Sequence, residues 1–176
     1  DNEPLCVALA DGVVTDAERT NLPGELPTAD AGFVINPGLN DAWFNPDTAG
    51  QGVLLSVLPD SQQLFLAQFT FDTIRPDEGS TAVIGGPGQR WFTAIGPIDG
   101  DRATLDVAYT TGGTFGAVSA EQRTDTGQGT VTIQFDDCRS ATLTYDLPGA
   151  SRQGSIPLQR LTDDNVALCE ALTTPQ

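Results

Sequence analysis

Ala42-Trp43-Phe44-Asn45-Pro46-Asp47-Thr48-Ala49-Gly50-Gln51-Gly52-Val53-Leu54-Leu55-Ser56-Val57 is the stretch from which the fold is read. It is a short aromatic strand, a turn made of Asn-Pro and two glycines, and then an apolar strand. Asn45 and Pro46 supply the turn chemistry, and Gly50 and Gly52 supply the freedom a tight bend needs. Two strands in tandem across such a turn predict the first hairpin of an antiparallel sheet.

The same rhythm continues in both directions. Strands are expected at 42–45, 52–58, 63–71, 90–98, 102–111, 130–135, 141–147 and 155–161. Several alternate: Phe65, Ala67, Phe69 and Phe71 share one face, opposite Leu66, Gln68 and Thr70. Leu105, Val107 and Tyr109 do the same against polar neighbours, as do Val131, Ile133 and Phe135, and Leu143, Tyr145 and Leu147. Period-two alternation places one face on a core and the other in solvent. Pro59-Asp60-Ser61-Gln62, Asp99-Gly100-Asp101 and Pro148-Gly149-Ala150-Ser151 are short hairpin connections, Asp-Gly being the strongest signal because its turn requires positive φ. Two connections are long, 73–89 and 112–129, and the second holds Thr114-Phe115-Gly116-Ala117-Val118 as an additional strand.

The fold class is therefore all-β: an antiparallel meander of about eight strands closing as an up-and-down barrel or packing as a two-sheet sandwich. Closure is favoured because it removes open sheet edges. Both ends differ from this pattern. Residues 1–38 form an N-terminal extension, with a helix start at Thr15-Asp16-Ala17-Glu18, where Thr15 caps and Glu18 reaches back, and a strand at 31–35. Residues 39–161 form the β-domain. Residues 162–176 form a C-terminal helix and tail, with Thr162 as cap and acids in the first turn.

Composition narrows the function. The chain has 176 residues, 24 acidic side chains against 8 basic ones, and a net charge of -16. All basic residues are arginine, and lysine, histidine and methionine are absent. Such a surface repels phosphate backbones and anionic lipid, so nucleic acid is not an expected partner. No apolar run is long enough to span a bilayer as a helix. Without histidine there is no Ser-His-Asp or Cys-His site and no histidine-bound zinc; without lysine there is no P-loop or Schiff base. Carboxylate chemistry, a thiol, or calcium held by oxygen ligands remains. The chain starts at Asp1 rather than Met, which is read as a processed N-terminus.

Candidate site residues follow from these constraints. Trp43 and Trp91 are candidates for an aromatic platform, with core packing as the competing role. Asn45, Asp47 and Gln51 lie in a loop at one end of the sheet, where a small ligand can bind; turn-making is their competing role. Asp99 with Asp101, and Asp136 with Asp137, are the candidate calcium ligands, against a solvated acidic surface; no other cofactor is expected. Asp125-Thr126-Gly127 matches an aspartic-protease triplet but follows a polar stretch, so a solvated turn is the better reading.

The cysteines are Cys6, Cys138 and Cys169, at spacings that fit no zinc or iron–sulfur site. If 141–147 and 155–161 form a hairpin, Cys138 lies beside the end of the second strand, where the terminal helix begins and returns Cys169. Cys138–Cys169 is the expected disulfide, with Cys6–Cys169 the alternative. Under the first pairing Cys6 is free or bonds another chain.

Trp43-x-Asn45-Pro46-x-x-x-Gly50-x-Gly52, together with Asp137-Cys138, Thr142-x-x-Tyr145, 154–161 and Leu168-Cys169, resembles a β-module of secreted bacterial proteins, over residues 40 to 172. The strand count and hairpin order are similar in architecture to avidin-like up-and-down barrels; no biotin-binding constellation accompanies them. The resemblance implies a secreted, extracellular or cell-surface location (the periplasm included) and no activity. The combined expectation is a non-catalytic structural module that self-associates through its terminal segments into a polymer or filament. The alternative is a barrel that binds carbohydrate or another small ligand at its Trp43–Gly52 end.

Overall fold

The computed structural model describes residues 32–80 and 89–173. The helix start at Thr15 and the position of Cys6 lie outside them. The strands are β1 (Asp41–Phe44), β2 (Gly52–Leu58), β3 (Gln63–Phe71), β4 (Gln89–Asp99), β5 (Arg102–Thr111), β6 (Arg123–Asp125), β7 (Thr130–Phe135), β8 (Ser140–Leu147) and β9 (Arg152–Arg160), followed by helix α1 (Val166–Thr173). Every pairing is antiparallel. β4 pairs with β5 and β1 with β9, so eight strands close into an up-and-down barrel, and the short β6 extends one end of β5.

The hairpins explain the meander. Gly100 turns β4 into β5 with φ of 60°. The β2–β3 and β8–β9 connections use one device twice: a proline opens a single 3-10 turn, Pro59–Ser61 or Pro148–Ala150. A left-handed residue, Gln62 or Ser151, then closes it. Gly96 has a different job. A Cβ there would lie 2.0 Å from the Thr104 carbonyl oxygen, so only glycine allows β5 to cross β4 this closely.

The ring is tight everywhere except at β1–β9, where only Trp43 with Arg160 and Phe44 with Gln159 pair. Two residues further on, the same register would set Pro46 against Pro157. Neither can donate a ladder hydrogen bond, so the seam opens there.

The lumen is a packed core over its lower half. Leu64, Leu66, Ala103, Leu105, Val107, Val131, Ile133 and Leu143 are fully buried and point inward from alternating positions. The base is closed by a plug. The strap from Gly32 to Asn40 crosses it, pinned by the Ile35 amide donating to the Gly100 carbonyl. This segment is not a strand from Gly32 onward; it works instead as a lid whose Phe33 ring packs 6.4 Å from that of Phe135. The 3-10 turn Pro37–Leu39 rests on α1, with Gly38 against the backbone of Cys169.

The Cys138–Cys169 disulfide is formed and ties α1 to the β7–β8 turn. At the centre of the plug lies the buried Arg160 guanidinium. It pairs with Asp41 at 2.8 Å, donates to the carbonyls of Cys138 and Gly38, and stacks 4.8 Å from the Trp43 ring. A buried cation is tolerated because every direction it donates in is answered.

Two further expectations are corrected. The helix begins at Val166 rather than near Thr162, whose hydroxyl instead donates to Asp164 within a turn. In the long β5–β7 connection, the 114–118 segment forms only an isolated bridge between Thr114 and Ala117, and the added strand is β6.

Candidate functional site

At the end opposite the plug the described residues leave the barrel open. The mouth is a cavity of about 640 Å³, within the size range of small-ligand sites. Its chemistry follows from strand alternation: the inward row that is aliphatic lower down becomes polar and aromatic near the rim. β3 contributes Gln68, Thr70 and, just beyond its end, Asp72; β4 contributes Arg90 and Phe92; β5 contributes Tyr109; β8 and β9 contribute Tyr145, Leu147, Arg152 and Ile156. Phe92 and Tyr109 meet edge to face at 6.1 Å and form the floor. The Tyr145 ring leans over Gly154, where any Cβ would sit 2.7 Å from its hydroxyl.

Part of this polar set is already engaged. Thr70 donates to Gln51 Oε1 at 2.6 Å, and Arg90 is paired with Asp72 at 2.5 Å. The rest faces the cavity. Among the described residues, the amide of Gln68, the phenols of Tyr109 and Tyr145 and the guanidinium of Arg152 have no hydrogen-bond or ion-pair partner within the protein. Burial pushes the Tyr109 phenol above its ordinary pKa. A crevice of about 200 Å³ beneath the 45–51 loop follows the open β1–β9 seam and shares Gln51, Gln68 and Ile156 with the mouth.

Next to the mouth, the outer wall of β1–β4 has an unusual surface. Leu54, Phe69, Phe71, Trp91 and Ile95 are each between 42% and 56% exposed. They lie in register: Phe69 opposite Gly52 and Trp91, and Ala67 opposite Leu54 and Thr93. The aromatic face of β3 therefore points outward, while Leu64, Leu66, Gln68 and Thr70 point in. The barrel closes on its Leu64–Leu66 row, and the larger rings are left on the convex side.

The glycines of the opening motif seat these rings. A Cβ at Gly52 would lie 2.8 Å from the Phe69 ring, and one at Gly50 would lie 3.0 Å from the ring of Phe71. From Ala42 to Phe44, Gly52 to Leu58, Gln63 to Phe71 and Trp91 to Pro97, no outward position carries a charge, on a chain of net charge -16. The opposite wall is polar, with Thr104, Thr132, Gln134, Thr142 and Thr144 facing out. Among the described residues no helix is long and apolar enough to cross a membrane.

The predicted site residues separate in space. Gln51 lines both cavities and Asn45 lines the crevice. Asn45 also accepts from the Asp47 amide at 3.0 Å, which makes it a turn-former, and Asp47 lines neither cavity and points to solvent. Trp91 stands at the lip, shared by mouth and wall. Trp43 is fully buried, its indole N–H donating to the Leu39 carbonyl and its ring 5.4 Å from Phe135, so it belongs to the core and not to the mouth.

Asp99, Asp101, Asp136 and Asp137 fall in turns at the closed end. Among the described residues no three acidic or thiol side chains gather as a metal cluster. Asp137 holds its own turn, its Oδ1 accepting from the amides of Arg139 at 2.6 Å and Ser140 at 2.7 Å. Its slight burial works to raise its pKa, but those hydrogen bonds, the Ser140 side chain and the Arg139 charge outweigh this and hold it below the usual range. Asp125 of the Asp-Thr-Gly triplet pairs with Arg123 at 3.1 Å at the surface. Sequence reasoning missed Gln68, Tyr109, Tyr145 and Arg152. Their signal was positional: each is a polar or aromatic residue continuing an inward apolar row.

No family model matches the chain, and neither a curated protein nor a solved structure matches it.

Proposed function

We propose that this chain is a non-catalytic barrel module that associates with copies of itself through the outer wall of β1–β4. The observation that carries the reading is that wall: five half-exposed large apolar side chains, three of them aromatic, on a face without charge. Half-exposed side chains of this size leave on the order of 400–500 Å² of apolar surface. With the adjoining, partly buried Phe44, Phe65 and Ala67 the wall is in the range of a small interface, below the roughly 800 Å² per partner of a standard one.

Interface cores are enriched in aromatics and depleted in charge, as this wall is. The occupant is taken to be a second copy because a two-fold pairing lays two uncharged apolar walls on each other. An anionic partner would meet the field of a -16 chain. The disulfide supports an oxidising location, extracellular or at the cell surface.

Size-exclusion chromatography with in-line light scattering tests this. Wild type should run as a dimer or larger species at high concentration, Leu54→Asp as a monomer, and Thr144→Asp on the opposite wall as wild type. Equal behaviour of the two variants would refute the assignment.

The mouth supports a second reading, ligand binding. A cavity of about 640 Å³ holding unpaired amide, phenol and guanidinium groups beside aromatic rings suits a small polyhydroxylated ligand, of which carbohydrate is the common class.

A further inference from the structure

We propose that the mouth selects an acidic sugar, with Arg152 as the counter-ion of its carboxylate; this rests on the reading of the mouth as a carbohydrate site. The chain carries -16 overall, yet the charges lining the mouth sum to a cation. Asp72 and Arg90 are paired with each other, and Arg152 is left without a partner among the described residues. Of the other described arginines, four are spent on structure: Arg160 in the plug, Arg139 on Glu170 of α1, Arg123 on Asp125 and Arg102 on Gln134; Arg75 is exposed in the loop after β3 and does not line the mouth. An unspent guanidinium at the rim of a polar cavity, on a strongly acidic chain, marks the point where negative charge is accepted.

The remaining groups define what is attached to that charge. Arg152 begins β9, opposite Leu147, with Gly154 and Tyr145 pairing next along the same ladder. A ligand whose carboxylate meets the Arg152 fork therefore lays its body across Tyr145 toward Gln68 and Tyr109. Those three side chains offer two phenols and an amide, able both to donate to and to accept from ring hydroxyls. Trp91 at the lip gives an apolar face for the C–H side of a sugar ring. A fatty acid would leave these polar groups unanswered, at a cost, and a bare inorganic anion would use Arg152 alone. A hexuronic acid uses the whole set.

Isothermal titration calorimetry of the intact protein with glucuronate, galacturonate, glucose and acetate tests this, with Trp91 emission as a second readout. A uronate should bind roughly ten-fold to a hundred-fold more tightly than glucose, the span expected of a charge-assisted pair. Arg152→Gln, at an exposed position, should bring uronate affinity down to about that of glucose and so abolish the preference, whereas Tyr109→Phe should weaken both sugars and preserve their ratio. Equal binding of uronate and glucose to wild type would overturn the role of Arg152 while leaving the carbohydrate reading intact. Acetate binding as tightly as the uronates would overturn the sugar part. No heat and no Trp91 response with any sugar would overturn the mouth reading itself.

Discussion

Opening the Cys138–Cys169 bond should cost the barrel about 3.7 kcal/mol at 25 °C. The bond closes a loop of sequence separation 31. Releasing that loop returns closure entropy to the unfolded chain, and the loop-length relation gives about 3.7 kcal/mol for this span. The native state should change little. Asn165 donates to the Asn40 carbonyl at 2.7 Å, Asn36 to Thr173 Oγ1 at 3.3 Å, and Val166 is buried, so α1 keeps its seat on the plug. The effect therefore resides in the unfolded state. Urea unfolding, followed by emission of the buried Trp43 and by near-ultraviolet circular dichroism, compares oxidised protein with a Cys138→Ala/Cys169→Ala variant. The midpoint should fall by the equivalent of about 3–4 kcal/mol, with a modest rise in the urea slope as the uncrosslinked chain opens further. A loss below about 1 kcal/mol would refute the loop-closure argument.

Two other perturbations probe the base. Gly38→Ala would place a Cβ 2.3 Å from the Cys169 nitrogen, a backbone atom that cannot rotate away, so α1 must shift. A loss of about 1–3 kcal/mol in urea unfolding is expected, and a loss under about 0.5 kcal/mol would contradict the close packing. Asp137→Ala should destabilise at neutral pH. Because the folded pKa of Asp137 lies below its unfolded one, its contribution is present above the ordinary carboxylate range and is lost as pH falls through the folded value. The stability gap between wild type and variant should therefore close in acid; a gap independent of pH would contradict the turn-holding role.

Much of the barrel was legible because its signals are local. Each expected strand from 42–45 to 155–161 is present within a few residues, since Asp99-Gly100 and the two Pro-x-x-polar turns punctuate the chain without help from distant contacts. The disulfide was legible for a related reason: a hairpin fixes where Cys138 stands and the helix after it fixes Cys169. What was not legible depended on which face of a strand turns inward. Phe65, Ala67, Phe69 and Phe71 are the more aromatic face of β3, and burial by size alone would put them inside. The eight-strand ring leaves room for Leu64 and Leu66 instead, and Gly50 and Gly52 provide flat seats outside. The same inversion hid the mouth. Gln68 and Thr70 looked like a solvent face, and are in fact the upper part of the lumen. Arg160 gave no warning, because its partners come from two segments distant from it in the chain, Gly38 and Asp41 in one and Cys138 in the other.

Sedimentation velocity over a dilution series, with Leu54→Asp and Thr144→Asp alongside wild type, tests self-association through the aromatic wall most directly. The account predicts a concentration-dependent species larger than a monomer for wild type and Thr144→Asp, with Leu54→Asp monomeric throughout. Wild type sedimenting as a monomer at every concentration, indistinguishable from Leu54→Asp, would contradict it.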